Sequence, residues 1–348
     1  MLFIDRVLEY LAKMSSWFSC RYGPRTVHFS MRGLRNHHLS CCVNTLLQTL
    51  SATLELLNLL DKWESSGVQA DGHNVPLQLK RVLSAMRGDV PHHAPHLDFL
   101  HSLDRNCIRL RVQHDADEVF LSILNFIQQQ MDNRALALEI QNLYRISVEE
   151  HLQCLECNSD QTQTSFMLSL PLHLKDDHDS LESSMASFFE HQELRNRDCC
   201  YCNKCETKTP SKKGVKLLSL PRILRVNLKR FRNYAGTVRK LEGRVTFPET
   251  FDLSEVLKEA FSSDFNQNDC RYALYAVVVH SGYVMFGHYT AYVRLNQQWY
   301  YADDSHVQQV SWEEVKTTYG GRYRQTAYML MYRRCSEAER PQQAEFSG

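Results

Sequence analysis

The sequence has no net charge: 40 Lys plus Arg stand against 40 Asp plus Glu in 348 residues. That argues against a chain built mainly for phosphate backbones, which needs a basic excess to release counterions. No nucleic-acid partner is expected, although a local basic patch is compatible with the balance. Nor is there an apolar run of the roughly eighteen residues that a membrane helix requires. The stretches around Leu54 to Leu60 and Leu274 to Val279 are core-sized, so membrane insertion is not expected. At the start, Asp5, Arg6 and Glu9 interrupt the apolar stretch that a secretion signal keeps continuous. Leu2, Phe3, Val7, Tyr10, Leu11 and Met14 instead recur at helical spacing, predicting a short amphipathic packing helix in a lead of residues 1–30. No internal repeat is visible. An apolar fraction of 43 % with 23 % charged residues lies far from disordered composition and suits one large or two modest domains.

With no secretion signal, the twelve cysteines are expected in a reducing compartment, as thiols or metal ligands rather than disulfides. Cys154/Cys157 and Cys202/Cys205 form two CxxC pairs separated by 44 residues. Four thiolates from two turns suit a closed tetrahedral structural zinc. Cys199 also stands three residues before Cys202, so Cys199/Cys202 competes as the second knuckle. Cys202/Cys205 is preferred because Asn203-Lys204 is the more turn-like pair. No histidine has finger-like spacing.

The texture changes along the chain. Residues 40 to 62 carry leucine at helical spacing behind Ser40, which predicts one strong helix with Ser40 as N-cap and Cys41 in its first turn. Leu77 to Met86 and Asp115 to Met131 also read as helices. After about residue 145 come strand-like segments, among them RISVEEHLQC, YALYAVVVH, HYTAYVRL and QWYYADD. LPRILRVNLKRFR, the best basic candidate, alternates like a palm strand, while DDHDSLESS, ETKTPSKKG and SSDFNQND read as surface loops. The whole is an α+β arrangement.

A thiolate nucleophile needs a lowered pKa, a base within reach and donors for the developing oxyanion. Cys41 at a helix start has the first for free. Asn36, five residues upstream, is placed to direct its amide to the same spot as the Cys41 backbone N–H. Far downstream, His288 follows Gly287 at the head of an alternating strand, and Asp303 and Asp304 stand at a strand-to-turn position where a carboxylate can hold an imidazole.

These segments carry a resemblance. GLRNHHLSCCVNTLLQ resembles the Cys box of the ubiquitin-specific proteases, the papain-like deubiquitinases, and YALYAVVVHSGYVMFGHYTAYVRLNQQWYYADDS resembles their His box. VQHDADEVFL is similar to a third motif between them, and the two CxxC pairs running into GVKLLSLPRILRVNLKRF resemble the zinc-bearing fingers and palm. The resemblance covers about residues 31 to 334, with four motifs in the family's order. It implies a papain-like cysteine protease fold with a helical thumb (about 31–144) and β fingers and palm (about 145–335), followed by a flexible tail (336–348). The implied activity is that of a cysteine isopeptidase that frees a ubiquitin-like modifier from target lysines. Cys41 would be nucleophile, His288 general base, Asp303 its orienting partner, Asn36 oxyanion donor and Asp304 a support, with Cys42 a bystander. Gln113, Asp115, Glu118, Gly282, Gly287 and Tyr289 would meet the modifier tail, with Ser281 to Phe286 as a mobile blocking loop hinged at Gly282 and Gly287.

Within the family, the CC doublet, the QHDA motif and the closing SWEEVKTTYGGRYRQTAYMLMYRR resemble the interferon-induced branch. That branch removes the interferon-stimulated two-domain modifier and restrains type I interferon signalling through its receptor. A cytoplasmic and nuclear location follows from the same likeness. Three departures stand out: His38 where the family has glycine, Leu39 where it has an amide, and Asp117 where it more often has histidine, on the face expected to meet the modifier. The first two predict a differently shaped oxyanion loop. Ubiquitin deconjugation and a catalytically weak binding module remain as alternative functions.

Overall fold

The computed structural model describes residues 31–64, 72–88, 96–175, 177–257, 260–262, 265, 270–284, 286–321 and 325–335. The lead helix and the tail expected from the sequence lie outside them. All described residues belong to the unit Met31–Gly348.

The helices come first. α1 (Cys41–Ser51) and α2 (Leu54–Lys62) replace the single helix expected over 40 to 62. The break falls at Ala52-Thr53 without proline or glycine. The Thr53 hydroxyl bonds back to the Thr49 carbonyl at 3.0 Å and across to the Tyr275 hydroxyl at 2.9 Å, so tertiary bonding holds the break. α3 (Val75–Arg87) starts on Asn74, whose side chain accepts from Leu77 N, with Pro76 in the first turn where a missing N–H costs nothing. α4 (His96–Arg105), α5 (Ala116–Gln130) and α6 (Arg134–Asn142) complete the layer. α5 buries Val119, Phe120, Ile123, Leu124 and Ile127, one stripe at helical spacing. α1 is buried along nearly its whole length, polar residues included.

The strands form two main sheets. β1 (Ile146–Cys154), β2 (Asp160–Met167), β8 (Ser211–Ser219) and β5 (Gln192–Leu194) make a four-stranded sheet in the order β2-β1-β8-β5, the fingers. The eight-stranded palm runs β17 (His306–Val310), β16 (Gln298–Asp303), β15 (Gly287–Leu295), β14 (Arg271–Gly282), β18 (Gln325–Arg334), β9 (Ile223–Leu228), β3 (Leu170–Leu172), with β13 (Thr250–Asp252) also on β14. β14 is buried on both faces. Tyr275, Ala276 and Val278 join the core shared with the helices, while Leu274, Val277 and Val279 join a second core on the other side. The strand thus lies between two layers, its alternation broken only at the adjacent Tyr275 and Ala276, where the pairing with β18 shifts register.

Two loop expectations are corrected. DDHDSLESS forms β4 (His178–Ser180) and the start of α7 (Leu181–Phe189), capped by Ser180 on Ser183 N. ETKTPSKKG supplies β7 (Thr207–Thr209), paired with β6 (Cys200–Cys202), and the start of β8. Their charged side chains stay largely at the surface, while Ser184, Thr209 and Ser211 are buried and the backbone pairs. SSDFNQND falls largely outside the described residues. The basic segment carries β9, which is buried throughout, and Arg225 within it and Arg230 just past its end are both fully enclosed. Among the described residues no helix is long and apolar enough to cross a membrane.

Candidate active site

The loop before α1 is stitched to the β16–β17 turn. Leu34 N donates to the Asp304 carbonyl at 2.7 Å, and a Cβ on Gly33 would collide with the Ser305 backbone, so only glycine fits there. Ser40 makes no side-chain cap: its hydroxyl accepts from His37 N at 2.8 Å, while Ser40 N donates to Asn36 Oδ1 at 3.1 Å. His38 and Leu39 take φ values of +52° and +70°. Both lie in the left-handed region, at roughly 1–2 kcal/mol each for residues with a side chain. The loop therefore keeps a glycine-like path through residues that resist it, held by the Asn36 and Ser40 bonds at its ends. Cys41 is buried at the head of α1.

His288 is the second residue of β15, and its preceding residue is clamped. The Gln113 side chain donates to the Gly287 carbonyl and accepts from Gly287 N at 3.3 Å, and a side chain on Gly287 would strike the His280 ring. His288 Nε2 meets Asp303 Oδ1 at 2.7 Å, and the Tyr301 hydroxyl donates to Asp303 Oδ2 at 3.4 Å. With Nε2 committed, Nδ1 is the ring nitrogen left for the hydrogen bond to Cys41. That bond, then the bond to Asp303, raise the imidazole to about 9 against the opposing effect of burial. An imidazole so held beside a thiol is placed to exchange a proton with it. Burial does the opposite for the neighbouring Cys42, keeping its thiol protonated.

Asp304 does not touch the imidazole. It stands in the left-handed region at φ +49° and accepts from Asn36 Nδ2 at 2.9 Å and from Asn44 Nδ2 at 2.7 Å. The Asn36 amide is thus bonded at one N–H to Asp304 rather than aimed wholly at Cys41. Asn44, one turn into α1, also donates to the Leu34 carbonyl at 3.2 Å, and its Oδ1 meets His96 Nε2 at 2.7 Å.

Several residues read from the sequence as tail-binding have internal partners. Asp115 is the N-cap of α5, its Oδ1 accepting from Asp117 N and Glu118 N and its Oδ2 from the Tyr328 hydroxyl. Tyr289 is buried against His280 and Tyr328, with ring centroids 4.8 and 5.9 Å away. Asp117 is corrected outright. It faces inward, paired with the fully buried Arg225 at 2.6 Å, because a helix residue two past the N-cap points toward the palm here. Glu118 is exposed. Gly282, at φ +84°, pairs with Gly287 at the end of the β14–β15 hairpin, and Tyr283 and Phe286 stand exposed at its tip. Asn44, His96, Arg225 and Tyr328 had no sequence signal, since the partners that hold them here lie dozens to hundreds of residues away.

At the fingertip, the sulfurs of Cys154, Cys157, Cys202 and Cys205 lie within 4.8 Å of one another. Cys199 is not among them, which settles the knuckle register. Each knuckle ends on a left-handed residue just after its second cysteine, Asn158 (φ +53°) and Glu206 (φ +54°). Tetrahedral metal–sulfur bonds of ~2.3 Å place sulfurs about 3.8 Å apart. The Cys154–Cys205 and Cys157–Cys202 separations are 3.9 and 3.6 Å. The donor set and spacing fit a four-thiolate metal centre. All described cysteines are free of disulfides.

A thiol at a helix start, an imidazole on a facing strand and a carboxylate on the next define the cysteine hydrolases of papain-like build. Residues 32–332 match the family model described as ubiquitin carboxyl-terminal hydrolase, and the chain belongs to that family of enzymes cleaving ubiquitin-like modifiers. It is similar to Ubl carboxyl-terminal hydrolase 18 of Homo sapiens, 32 % identical over 313 residues, covering 86 % of this chain and 84 % of that protein. The Mus musculus protein of the same name is 34 % identical over 312 residues, with the same two coverages. Among solved structures, the SAGA Ubp8/Sgf11/Sus1/Sgf73 DUB module bound to ubiquitin aldehyde shares the fold at a TM-score of 0.76 and 23 % identity, covering 94 % of this chain and 75 % of that one.

Proposed function

We propose that the chain is an isopeptidase removing the interferon-stimulated two-domain modifier from target lysines, with Cys41, His288 and Asp303 as its triad. The observation that carries the reading is the Cys41–His288–Asp303 line, with the 2.7 Å His288–Asp303 bond at its far end. The Cys41 thiolate attacks the terminal glycine carbonyl of the modifier. Asn36, steadied by Asp304 through one N–H, offers its second N–H to the oxyanion beside the backbone N–H of Cys41. His288 then protonates the departing lysine amine, and water, activated by the same imidazole, hydrolyses the thioester to release the modifier and restore the thiol. Gln113 holds the histidine strand, Asp115 fixes the start of α5, and Glu118 stays exposed to meet a basic tail. Gly282 and Gly287 let the hairpin tip with Tyr283 and Phe286 swing aside for it.

Similarity to the Ubl carboxyl-terminal hydrolase 18 proteins supports the choice of modifier, a place in the cytoplasm and nucleus, and an added restraint on interferon receptor signalling. The test is a side-by-side reaction with ubiquitin and the two-domain modifier, each carrying a C-terminal thiol-reactive group. Faster covalent capture of the two-domain modifier is expected. Preference for ubiquitin points to general deubiquitination, and binding without capture points to a binding module.

The fingertip thiolates hold zinc in this reading. Elemental analysis is expected to find about one zinc per chain. Cys157→Ser is expected to lose it and to lower the melting temperature by roughly 5 °C or more, with Cys41 alkylation at low temperature unchanged. Full metal content in that variant would sink the assignment.

A further inference from the structure

Behind the reacting atoms, a chain of side-chain bonds runs from α4 to the oxyanion loop. His96, the first residue of α4, is buried with its Nε2 2.7 Å from Asn44 Oδ1. The other end of the Asn44 amide faces three acceptors: Asp304 Oδ1 at 2.7 Å and the carbonyls of Leu34 and Arg35 at 3.2 and 3.4 Å. An amide turned over would set its oxygen against a carboxylate and two carbonyls. The nitrogen must therefore point at Asp304, and the oxygen at His96. That leaves one role for the imidazole, donation from Nε2–H.

We infer that His96 is a positioning residue for the oxyanion loop: by donating to Asn44 it fixes the amide that holds Asp304, which in turn holds Asn36. The inference rests on the isopeptidase reading of the site. Among the described residues, the other donor recorded at Asn44 Oδ1 is the Ser40 hydroxyl, at 3.5 Å, too long to orient the amide alone. Ser40 is also already an acceptor for His37 N. His96 keeps its neutral form because burial, and then the nearby His37, lower it to about 4, so the donor is a stable tautomer rather than a charge. Its ring leans on His37 with centroids 5.6 Å apart, so the same side chain supports the loop from below. The loop needs that support, since His38 and Leu39 hold left-handed backbone that relaxes if the bonds at its ends are lost.

The test compares two substitutions of nearly equal shape, His96→Gln, which keeps an N–H donor, and His96→Met, which does not. Steady-state kcat and KM are measured on a fluorogenic C-terminal amide of the modifier, alongside alkylation of Cys41 by iodoacetamide. His96→Met is expected to lower kcat about tenfold or more with KM within about twofold and alkylation unchanged, because the oxyanion donor matters in the transition state and not in thiolate formation. His96→Gln is expected to recover most of kcat. Equal kcat in all three proteins, or equal losses in Gln and Met, overturns the inference. So does a His96→Met chain that cannot fold while His96→Gln is fully active, which makes the bond a folding determinant. If the wild-type chain neither turns over the reporter nor captures a modifier probe, the isopeptidase reading fails instead, a result distinct from all of these.

Discussion

Replacing Cys41 with alanine is expected to abolish turnover, and replacing Asp303 with asparagine to cut kcat/KM by roughly a hundred- to ten-thousand-fold. The two losses have different signatures. His288 is raised to about 9 first by its bond to Cys41 and then by its bond to Asp303. Its protonated form, the one that can hand a proton to the leaving amine, therefore persists above neutral pH and is lost as pH rises through about 9. The alkaline limb of kcat/KM should fall there, as an apparent value of the coupled thiol–imidazole pair. Asp303→Asn removes one raising partner and moves that limb to lower pH. Cys41→Ala removes the larger one, so the His288 ring, followed by NMR, should titrate well below its wild-type midpoint. A wild-type limb that stays put in Asp303→Asn would show that Asp303 does not hold the imidazole. Retained cleavage in Cys41→Ala would end the nucleophile assignment.

Much of this site was legible before any coordinates because its reacting groups sit in short, strongly patterned segments. Cys41 opens an apolar helix, His288 opens an alternating strand, and Asp303 ends the strand that pairs with it. Helices survive translation from sequence when one stripe is apolar, as in Ala116–Gln130. The helices His96–Arg105 and Arg134–Asn142 were not foreseen. What could not be read is the polar scaffolding. Asn44 meets Asp304 across 260 positions and Arg225 meets Asp117 across 108, with no local pattern to mark either pair. Asp115 read as a contact for the modifier tail and Asp117 as a residue of the modifier-facing side because a sequence gives the residue type and not the direction it faces. One is an N-cap and the other is buried.

That buried pair gives the largest stability effect expected of any single substitution outside the core. Arg225 is wholly enclosed, 2.6 Å from Asp117 Oδ1. Its guanidinium lies 4.3 Å from the Phe120 ring, and Nε reaches the Leu168 carbonyl at 3.4 Å. Burial drives its pKa down, and Asp117 is what opposes that. Asp117→Leu leaves a guanidinium without its counter-charge in the seam between α5 and β9, at a cost of about 3–5 kcal/mol. For a domain of this size that is roughly a 6–10 °C fall in melting temperature. Lys229, 3.6 Å from the other Asp117 oxygen, is partly exposed and can turn to water, so it contributes little to the loss. Adding Arg225→Met to Asp117→Leu removes the stranded charge and is expected to return the melting temperature to near wild type, since apolar replacements of a buried ion pair are often neutral or better. The double variant also separates stability from function. α5 begins at Asp115, bonded to Tyr328 of β18, and Gln113 just before it clamps Gly287. If the ion pair serves only to hold helix and sheet together, the rescued double variant turns over the reporter at the wild-type rate. If the pair also sets the angle at which Gln113 meets the histidine strand, kcat stays low although stability is restored, and the gap between the two readouts measures that contribution.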